Sequence, residues 1–358
     1  MTQIVVLGAG VIGLTTAIEL KKSNPGFQIT IVGHHLPGDI DQSYTSPYAG
    51  ANWASFATSE DRRLQEFDKP AYKKFIQLAE TDPRAGVWKV NTVSYYTNYA
   101  VAKAKGKMSE FLPWYRNFVD DFKVVEPSKP DIAFANSYTG VVISVPTYLK
   151  FLVQQNKELG NVIARIPLIA DIGEARNLTA VGKKADYVIN AGGLRASSLK
   201  GVEDKKFNFP VKGQTLLVKN NIKDMISVSG FPGLDDEILY MMPRVEGGTI
   251  IGGCFRAGDK DPKEDKDLTA RLIRRAMKYA PEIVDPRYKK NPKQVEVVRV
   301  NVGFRPFRED GFRVEVDKKK KWLVHAYGAG GGGYQGSYGV ARELVKIIDS
   351  EVTSRPKF

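Results

Sequence analysis

The chain has 358 residues, of which 42% are hydrophobic, so it is long enough to build two domains with sizeable cores. Its net charge of +13 would suit an anionic partner, but its basic residues are scattered among acidic ones without interleaved aromatics, so we interpret the charge as a solvated surface and keep nucleic-acid binding only as an alternative. The single cysteine, Cys254, excludes an internal disulfide framework and a multi-cysteine metal site, and we expect no metal centre.

The N-terminal segment is predicted to form a strand, a tight turn and a helix. Residues 4–7 are a short apolar run, glycines punctuate residues 8–13, and residues 14–22 have helical composition. A second strand at residues 29–32 completes the order of a dinucleotide-binding βαβ unit. The first strand begins at Gln3 and no stretch approaches about 20 consecutive apolar residues, so we expect neither a secretion signal nor a membrane-spanning helix.

The glycine turn carries the first functional prediction. The spacing Gly8-x-Gly10-x-x-Gly13 after a strand allows a sharp turn, brings backbone N–H groups close to a diphosphate and packs the next helix on the sheet. A plain structural turn is the alternative, but the flanking strand and helix favour the cofactor interpretation. The acidic residue expected about 20 residues later for the ribose hydroxyls is absent. His34-His35 follows the second strand instead, so ribose contacts are expected from elsewhere.

Later segments indicate how the rest of the chain is organised. Residues 187–193 and 322–328 are apolar strands ending in glycine, typical of the same parallel sheet, and the lysine run before the second is predicted to be a hairpin turn. The intervening segments are rich in aromatic residues and alternating strands. We therefore predict an α/β fold with a discontinuous Rossmann-like cofactor domain and an inserted α+β substrate domain on a mostly antiparallel sheet. The cofactor domain is assigned residues 1–60, 146–200 and 296–358, and the substrate domain residues 61–145 and 201–295.

The segment Thr-Ser-Pro-Tyr-Ala-Gly-Ala-Asn-Trp at residues 45–53 resembles the flavin-contacting loop of the D-amino acid oxidase family, and it is far more specific than the glycine turn. The similarity runs essentially end to end. It implies an FAD enzyme that oxidises neutral D-amino acids to imino acids and reduces oxygen to hydrogen peroxide. It also leads us to expect a homodimer in the peroxisome. Residues 355–358 do not match the Ser-Lys-Leu-like signal of fungal relatives, so the cytoplasm is the alternative location.

The resemblance also implies which residues contact FAD. They are Gly8, Ala9, Gly10, Val11, Ile12, Gly13, His34, His35, Thr45, Ser46, Gly50, Ala51, Asn52, Ile166, Ala191, Gly192, Gly193, Arg305, Gly330, Gly331, Gly332, Gly333, Tyr334 and Gln335. The last glycines precede a helix predicted from residue 334 to about residue 348, whose N-terminal N–H groups would favour negative charge. A flexible glycine linker is the alternative. The resemblance places this turn at the pyrimidine edge of the flavin, with Gln335 as a further contact.

A hairpin provides one candidate for substrate binding. The two glycines at residues 247–248 suit a two-residue type I′ turn, and that register would pair Tyr240 with Phe255 on one face. Spacing alone leaves a buried core pair equally open. The resemblance assigns the Tyr240 hydroxyl to the substrate carboxylate, whereas Phe255 replaces a tyrosine of some relatives. The substrate pocket is expected to include Asn52, Phe56, Phe255 and Gly331.

The alternation of apolar and polar residues before Arg305 provides the second candidate for substrate binding. The even positions of residues 298–304 are apolar and predicted to face a core, whereas the odd positions continue to Arg305. A polar face ordinarily contacts solvent. At Arg305, however, Gly303 would leave clearance for a substrate and Pro306 would end the strand at a cleft. A guanidinium group binds a carboxylate through two parallel charge-assisted bonds, and the resemblance gives Arg305 that role, beside Tyr240, as a catalytic residue.

The matched motifs contain no histidine pair or carboxylate pair, so we expect direct hydride transfer, with the protein supplying orientation and electrostatics. D-aspartate oxidase on the same scaffold is the closest alternative, and it needs an extra cation. Arg256 is a candidate, but strand alternation points it away from Tyr240 and Phe255. A non-catalytic flavin- or nucleotide-binding protein is the alternative of a different class. Residues 94–118 are a candidate lid.

Overall fold

The computed structural model describes residues 1–284 and 295–354, and these residues form six α-helices and fifteen strands in two sheets. The helices are α1 (Val11–Ser23), α2 (Arg62–Thr81), α3 (Asn98–Lys103), α4 (Val145–Glu158), α5 (Lys266–Tyr279) and α6 (Ser337–Thr353). The strands are β1 (Gln3–Leu7), β2 (Gln28–Gly33), β3 (Val87–Thr97), β4 (Asp120–Val125), β5 (Ile132–Ile143), β6 (Val162–Arg165), β7 (Tyr187–Asn190), β8 (Asn208–Val218), β9 (Met225–Ser229), β10 (Glu237–Pro243), β11 (Thr249–Cys254), β12 (Arg256–Ala257), β13 (Val297–Arg308), β14 (Arg313–Val316) and β15 (Leu323–Tyr327). No helix in the described ranges is long and apolar enough to cross a membrane. Residues 285–294, which were assigned to the substrate domain, and residues 355–358 lie outside the described ranges.

The smaller sheet has six strands in the order β14-β15-β7-β1-β2-β6 and is parallel except for β14. Helices α1, α4 and α6 pack together on one face, and a second apolar cluster that includes Ile172, Val188 and Leu323 covers the other. All five residues of β1 are buried because both faces are covered. Residues 318–321 form the predicted hairpin turn between β14 and β15.

The larger sheet has nine strands in the order β12-β8-β11-β10-β9-β3-β5-β4, with β13 paired to β8. Only the β3–β9 pair is parallel among these neighbours, so the mostly antiparallel sheet is as predicted. Helix α5 covers one face through Leu268, Leu272, Ala276 and Tyr279. The opposite face, which carries Tyr240, is turned toward the smaller sheet.

Strand β13 departs from the predicted domain division. It pairs with β8 from Arg308, opposite Asn208, back to Val297, opposite Val218, and therefore belongs to the larger sheet. The boundary expected at residue 296 does not separate the two sheets. The chain crosses to the smaller sheet only in the turn between β13 and β14. The alternation of β13 already fitted a sheet with one covered face, whereas β1 and β7 in the smaller sheet are nearly continuous apolar runs.

Two details predicted for β13 were wrong. Val298 does not face the core: its residue is 59% exposed, because the pairing with β8 shifts register between Val297 and Arg299 and turns this position outward. Pro306 does not end the strand either, because β8 extends far enough for Pro306 to lie opposite Pro210.

Candidate active site

A cavity of about 460 Å³ runs from the glycine turn of the smaller sheet to the exposed face of the larger sheet. Every predicted site residue lines it except Gly13 and Gly332. A second cavity of about 760 Å³ adjoins it, and both are lined by Phe56, Phe255 and Gln335. The structure therefore brings together residues from both ends of the chain and from both sheets.

The glycine turn is shaped by close backbone contacts. Gly8 has φ of +117°, and its N–H donates to the carbonyl of Val32 over 2.7 Å. A Cβ atom on Gly8 would lie 2.3 Å from the carbonyl oxygen of Ala191, and one on Gly13 would lie 1.9 Å from the carbonyl oxygen of Gly8. Gly13 therefore brings α1 against β1 and does not line the cavity, so its predicted cofactor contact stays a prediction. Helix α1 begins at Val11, earlier than predicted, and has no side-chain N-cap.

The predicted flavin loop is tied to this turn by hydrogen bonds. The Ser46 hydroxyl oxygen accepts from the Val11 N–H over 3.0 Å, and the Tyr44 hydroxyl donates to the carbonyl of Ala9 over 2.7 Å. From the last glycine segment, the Tyr334 hydroxyl donates to the carbonyl of Ser46 over 3.0 Å. These bonds hold three distant parts of the sequence around one end of the cavity. Tyr44 lines the cavity and was not predicted.

Two histidines occupy the end of β2 where an acidic residue was expected. His34 Nδ1 lies 3.3 Å from the carbonyl oxygen of Ile166, and His35 Nε2 lies 3.1 Å from the Ser43 hydroxyl. Asp39 lies behind His35, with its carboxylate 3.7 Å from Nδ1. The structure thus offers an imidazole and a hydroxyl to the cavity at this point, which a search for a single acid at a fixed spacing does not find.

The last glycine segment forms a closed turn before its helix. The Gly332 N–H donates to the carbonyl of Ala329, and the Gly332 carbonyl accepts from the Gly336 N–H. Gly332 lines the adjoining cavity and not the main one, and its predicted cofactor contact stays a prediction. This turn also delays the helix, so α6 begins at Ser337 and not at Tyr334.

The predicted register of the β10–β11 hairpin was wrong. Tyr240 lies opposite Gly252, not Phe255. The loop is longer than two residues, because Arg244 and Gly248 close it with a hydrogen bond, and the pairing shifts again between Glu237 and Tyr240. Phe255 lies beyond β11, yet it still reaches the cavity.

Two glycines make room for the Tyr240 ring. Cβ atoms on Gly252 and Gly253 would lie 2.4 Å and 2.8 Å from the phenolic oxygen. The ring therefore leans across β11 toward Arg305. Burial raises the pKa of the Tyr240 hydroxyl, and the nearby Arg305 opposes that shift. The phenol accordingly keeps its proton at neutral pH and is a hydrogen-bond donor.

Arg305 is held in place by neutral groups. Its Nη1 donates to the carbonyls of Cys254 over 2.9 Å and Lys212 over 3.3 Å, and its guanidinium carbon lies 4.0 Å from the centre of the Phe255 ring. A Cβ atom on Gly213 would lie 2.6 Å from both terminal nitrogens, so Gly213 gives the guanidinium its space. None of the ion pairs formed within residues 1–284 and 295–354 includes Arg305. The Tyr240 hydroxyl also forms a hydrogen bond with the guanidinium. Because no carboxylate in these ranges pairs with Arg305, its positive charge is available to an anionic ligand.

The space predicted beside Gly303 for a substrate is filled by a side chain of the protein. A Cβ atom on Gly303 would lie 2.7 Å from Cβ and Cγ of Tyr48, so the Tyr48 side chain, and not a substrate, covers this position. Tyr48 itself lines the cavity.

A row of residues across the larger sheet was not predicted. Pairing places Ser94, Ser227, Tyr240, Gly252 and Thr215 side by side on five neighbouring strands. The Ser227 hydroxyl donates to the Ser94 hydroxyl over 3.2 Å, although the two residues are 133 positions apart. Each strand alternates visibly in the sequence, but nothing local shows that β3 pairs with β9.

Asp68 is a further buried polar residue that was not predicted. It lies on α2 with no exposed surface, and its carboxylate accepts hydrogen bonds from Ser55 and Gln335. Burial raises the pKa of Asp68 to about 7, while these two hydrogen bonds oppose the shift. The available signal was an acid next to Phe67 among the apolar positions of the segment that forms α2, a helix that was not predicted.

The sheet topology, the glycine turn and an arginine without a carboxylate partner among the described residues, at the far end of one cavity, define a class of protein: an enzyme that binds a dinucleotide cofactor and an anionic substrate. Comparison with family models makes this specific, since residues 3–347 match the FAD dependent oxidoreductase model, DAO. The chain belongs to this family of FAD-dependent oxidoreductases.

Individual relatives agree with the family. The chain is 37% identical to a D-amino-acid oxidase of Fusarium vanettenii, over 97% of this chain and 96% of the relative. It is 32% identical to a D-amino-acid oxidase of Schizosaccharomyces pombe, over 96% and 95%. Its fold resembles that of glycine oxidase from Bacillus cereus, with a TM-score of 0.76 at 17% identity, over 98% of this chain and 95% of that one.

Proposed function

We propose that this protein is a D-amino acid oxidase that converts neutral D-amino acids to imino acids, which water hydrolyses to 2-oxo acids and ammonia. The observation that carries the proposal is the Arg305 guanidinium, which is held by two backbone carbonyls, has no carboxylate partner among the described residues and lies beside the protonated Tyr240 hydroxyl. Both groups suit a carboxylate. The D-amino-acid oxidases among the relatives support the choice of substrate.

The residues present fit FAD as the cofactor. A diphosphate suits the turn at Gly8 and Gly10, because α1 begins there without a side-chain cap and close backbone approach requires glycine. When bound, FAD supplies a hydride acceptor whose electrons pass to oxygen and give hydrogen peroxide. We assign this role to the smaller sheet with residues 43–53 and 328–335, and substrate binding to the larger sheet with β13 included.

Within this proposal, the chain contributes orientation. The Arg305 Nε and Nη2 groups bind the two oxygens of the substrate carboxylate, and Tyr240 donates a further hydrogen bond to it. Fixing the carboxylate at one end limits the positions open to the α-carbon, and such alignment lowers the barrier to a hydride transfer. Phe255 packs against the guanidinium and keeps water from one of its faces.

The D-aspartate alternative requires a second free cation. Arg256 does not fill this role, because its guanidinium is paired with Asp236 over 3.0 Å and with Asp265 over 2.9 Å. It also lines neither of the two cavities. We therefore favour substrates with uncharged side chains.

A peroxide assay tests the proposal. The FAD-loaded protein is incubated separately with D-alanine, L-alanine and D-aspartate, and peroxide is measured by a peroxidase-coupled dye. We expect peroxide with D-alanine only. A larger signal with D-aspartate would replace the proposal with the sister activity, and no signal with any D-amino acid would leave a non-catalytic flavoprotein.

We also infer a homodimer and a peroxisomal location, both of which rest only on the family resemblance. Light scattering on the purified protein tests the first. Fluorescence microscopy of the tagged protein beside a peroxisomal marker tests the second, and a diffuse signal would favour the cytoplasm.

A further inference from the structure

Asp68 connects the interior of α2 to the wall of the cavity. Its Oδ2 atom accepts from the Ser55 hydroxyl over 2.6 Å and from the Gln335 side-chain Nε2 over 3.2 Å. Its backbone carbonyl accepts from the indole N–H of Trp53 over 2.9 Å, which fixes this turn of the helix. Gln335 is the member of the group that lines both cavities.

The direction of the hydrogen bonds around Ser55 follows from its neighbours. The Ser55 oxygen lies 2.9 Å from the indole N–H of Trp114 and 3.2 Å from the backbone N–H of Ala57, and both of these groups only donate. The single hydroxyl hydrogen of Ser55 is therefore left for Asp68. Asp68 Oδ2 must act as an acceptor, whether or not the carboxyl group carries a proton on its other oxygen.

The same constraint orients the Gln335 amide. Because Asp68 Oδ2 is an acceptor, it requires the NH₂ end of the amide, and the amide oxygen is turned away from Asp68. On the cavity side, this leaves Gln335 with an acceptor where a freely rotating amide would offer either end. An ammonium group is a matching donor, and Arg305 and Tyr240 supply only donors for the carboxylate.

We propose that Asp68 is a positioning residue that holds the Gln335 amide with its oxygen toward the cavity, where that oxygen accepts a hydrogen bond from the amino group of the substrate. This inference rests on the proposed function for the identity of the substrate. It adds a residue on α2 that does not line the cavity and acts only through Gln335.

Protonation of Asp68 weakens this arrangement. No group within residues 1–284 and 295–354 donates to Oδ1, which is buried, so this oxygen is the one that takes the proton. The titratable groups that face the carboxyl are Asp61 before α2 and Tyr115 on the segment packed beside it. The hydrogen bond from Gln335 is charge-assisted above a pKa of about 7 and neutral below it.

Two substitutions distinguish the role of Asp68 as a hydrogen-bond acceptor from the role of its negative charge. Asp68→Asn keeps an oxygen for Ser55 and Gln335 and places an NH₂ group where Oδ1 lies, so it imitates the neutral acid. Asp68→Leu has similar volume and no acceptor. For Asp68→Leu we expect the KM for D-alanine to rise about tenfold with a smaller change in kcat. For Asp68→Asn we expect a rise of roughly two- to threefold that no longer varies between about pH 6 and pH 8.

Benzoate is the matched probe, because it has a carboxylate and no amino group. Its dissociation constant, measured from the perturbation of the flavin spectrum, should change less than about twofold in both variants, as expected of a network acting on the amine alone. Asp317→Asn is the control for loss of a buried carboxylate, since Asp317 contacts His325 in the smaller sheet and lines neither cavity. We expect it to leave KM and benzoate binding unchanged.

A spectroscopic readout tests the positioning without turnover. In ¹⁵N spectra of the holoenzyme, the Gln335 side-chain amide signal, identified by its loss in Gln335→Ala, should titrate near pH 7 in the wild type and not in Asp68→Asn. An amide signal that ignores pH in the wild type would overturn the inference. So would an unchanged KM in either Asp68 variant, or equal changes in KM and in benzoate binding. If the wild type oxidises no D-amino acid, the proposed function fails, and the amide titration still decides whether Asp68 orients Gln335.

Discussion

The two ends of the main cavity are built by different means. At the smaller sheet, recognition depends on the backbone: Gly8 and Gly13 lack side chains because neighbouring carbonyl groups leave no room for them. At the larger sheet, the substrate recognition that we propose depends on side chains, with Tyr240 and Arg305 brought together from strands β10 and β13 although they are 65 positions apart in the sequence.

This difference explains why the glycine turn of the smaller sheet should tolerate fewer substitutions than the side-chain site on the larger sheet. A backbone site fails when any atom is added, because a neighbouring carbonyl cannot move without the strand that carries it. A side-chain site fails only when the particular donor is removed, and the surrounding sheet remains. Substitutions at the two ends should therefore differ in what is lost: the folded flavoprotein at one end, and substrate affinity at the other.

The largest effect is expected for Gly8→Ala. The new methyl group would lie 2.3 Å from the Ala191 carbonyl oxygen, at a φ of +117° that alanine rarely adopts. We expect the soluble protein to lose bound FAD and most of its stability, by several kcal/mol. The ratio of flavin to protein absorbance and a thermal unfolding curve measure both losses.

Gly38→Ala is the control, since Gly38 also has positive φ, +112°, but no heavy atom within 4 Å of the added carbon. It should retain FAD and lose only about 1 kcal/mol of stability. Equal losses in the two variants would show that backbone strain, and not crowding at the turn, sets the cost.

The difference between the backbone site and the side-chain site also explains which features the sequence could predict. The β1–turn–α1 unit was predicted because its signal lies within a few consecutive residues, and the flavin loop was identified by resemblance. Arg305 lines the cavity as predicted, although for partly wrong reasons: Gly213 gives it space, and β13 continues beyond Pro306. Its role in binding a carboxylate stays a prediction. Local pattern indicated the strand, while the contacts that hold the side chain came from elsewhere.

What the sequence could not supply is register. The β10–β11 pairing depends on a five-residue loop and a shift near Glu237, and each extra residue turns the following side chains to the opposite face. The Ser94–Ser227 contact and the Asp68–Gln335 bond join positions more than 130 residues apart. No periodicity within one segment contains that information.

At the larger sheet, Arg305→Ala should raise the KM for D-alanine about 100-fold or more, which corresponds to about 2.7 kcal/mol, because the buried carboxylate loses its counter-charge. FAD content should stay unchanged. Steady-state kinetics and the flavin spectrum of the same preparation measure the two quantities. Arg299→Ala, an exposed arginine on the same strand, should leave both within about twofold. Loss of FAD from Arg305→Ala would contradict the division between the two ends.

Tyr240→Phe removes one hydrogen bond and keeps the ring that Gly252 accommodates. We expect an increase of about tenfold in KM, as for a single hydrogen bond to a charged group. The difference in KM between the variant and the wild type should persist up to about pH 9. Burial keeps the pKa of the Tyr240 hydroxyl above its ordinary value, so the wild-type enzyme still has this hydrogen-bond donor at that pH. Tyr95→Phe, on strand β3 of the same sheet and outside both cavity walls, is the control. A wild-type KM in Tyr240→Phe would remove the hydroxyl from the site.

The smallest kinetic effect is expected for Arg256→Ala. Its guanidinium binds Asp236 and Asp265 on the α5 side of the sheet, so its charge is already neutralised and it offers no donor to the cavity. We expect D-alanine oxidation to change less than about twofold, and any D-aspartate oxidation to change in the same proportion, while the melting temperature falls because two carboxylates lose their partner. Peroxide assays with both substrates and a thermal scan separate the two effects. A selective loss of D-aspartate oxidation would instead make Arg256 a substrate-binding residue, and side-chain recognition at the larger sheet would then extend to a second charge.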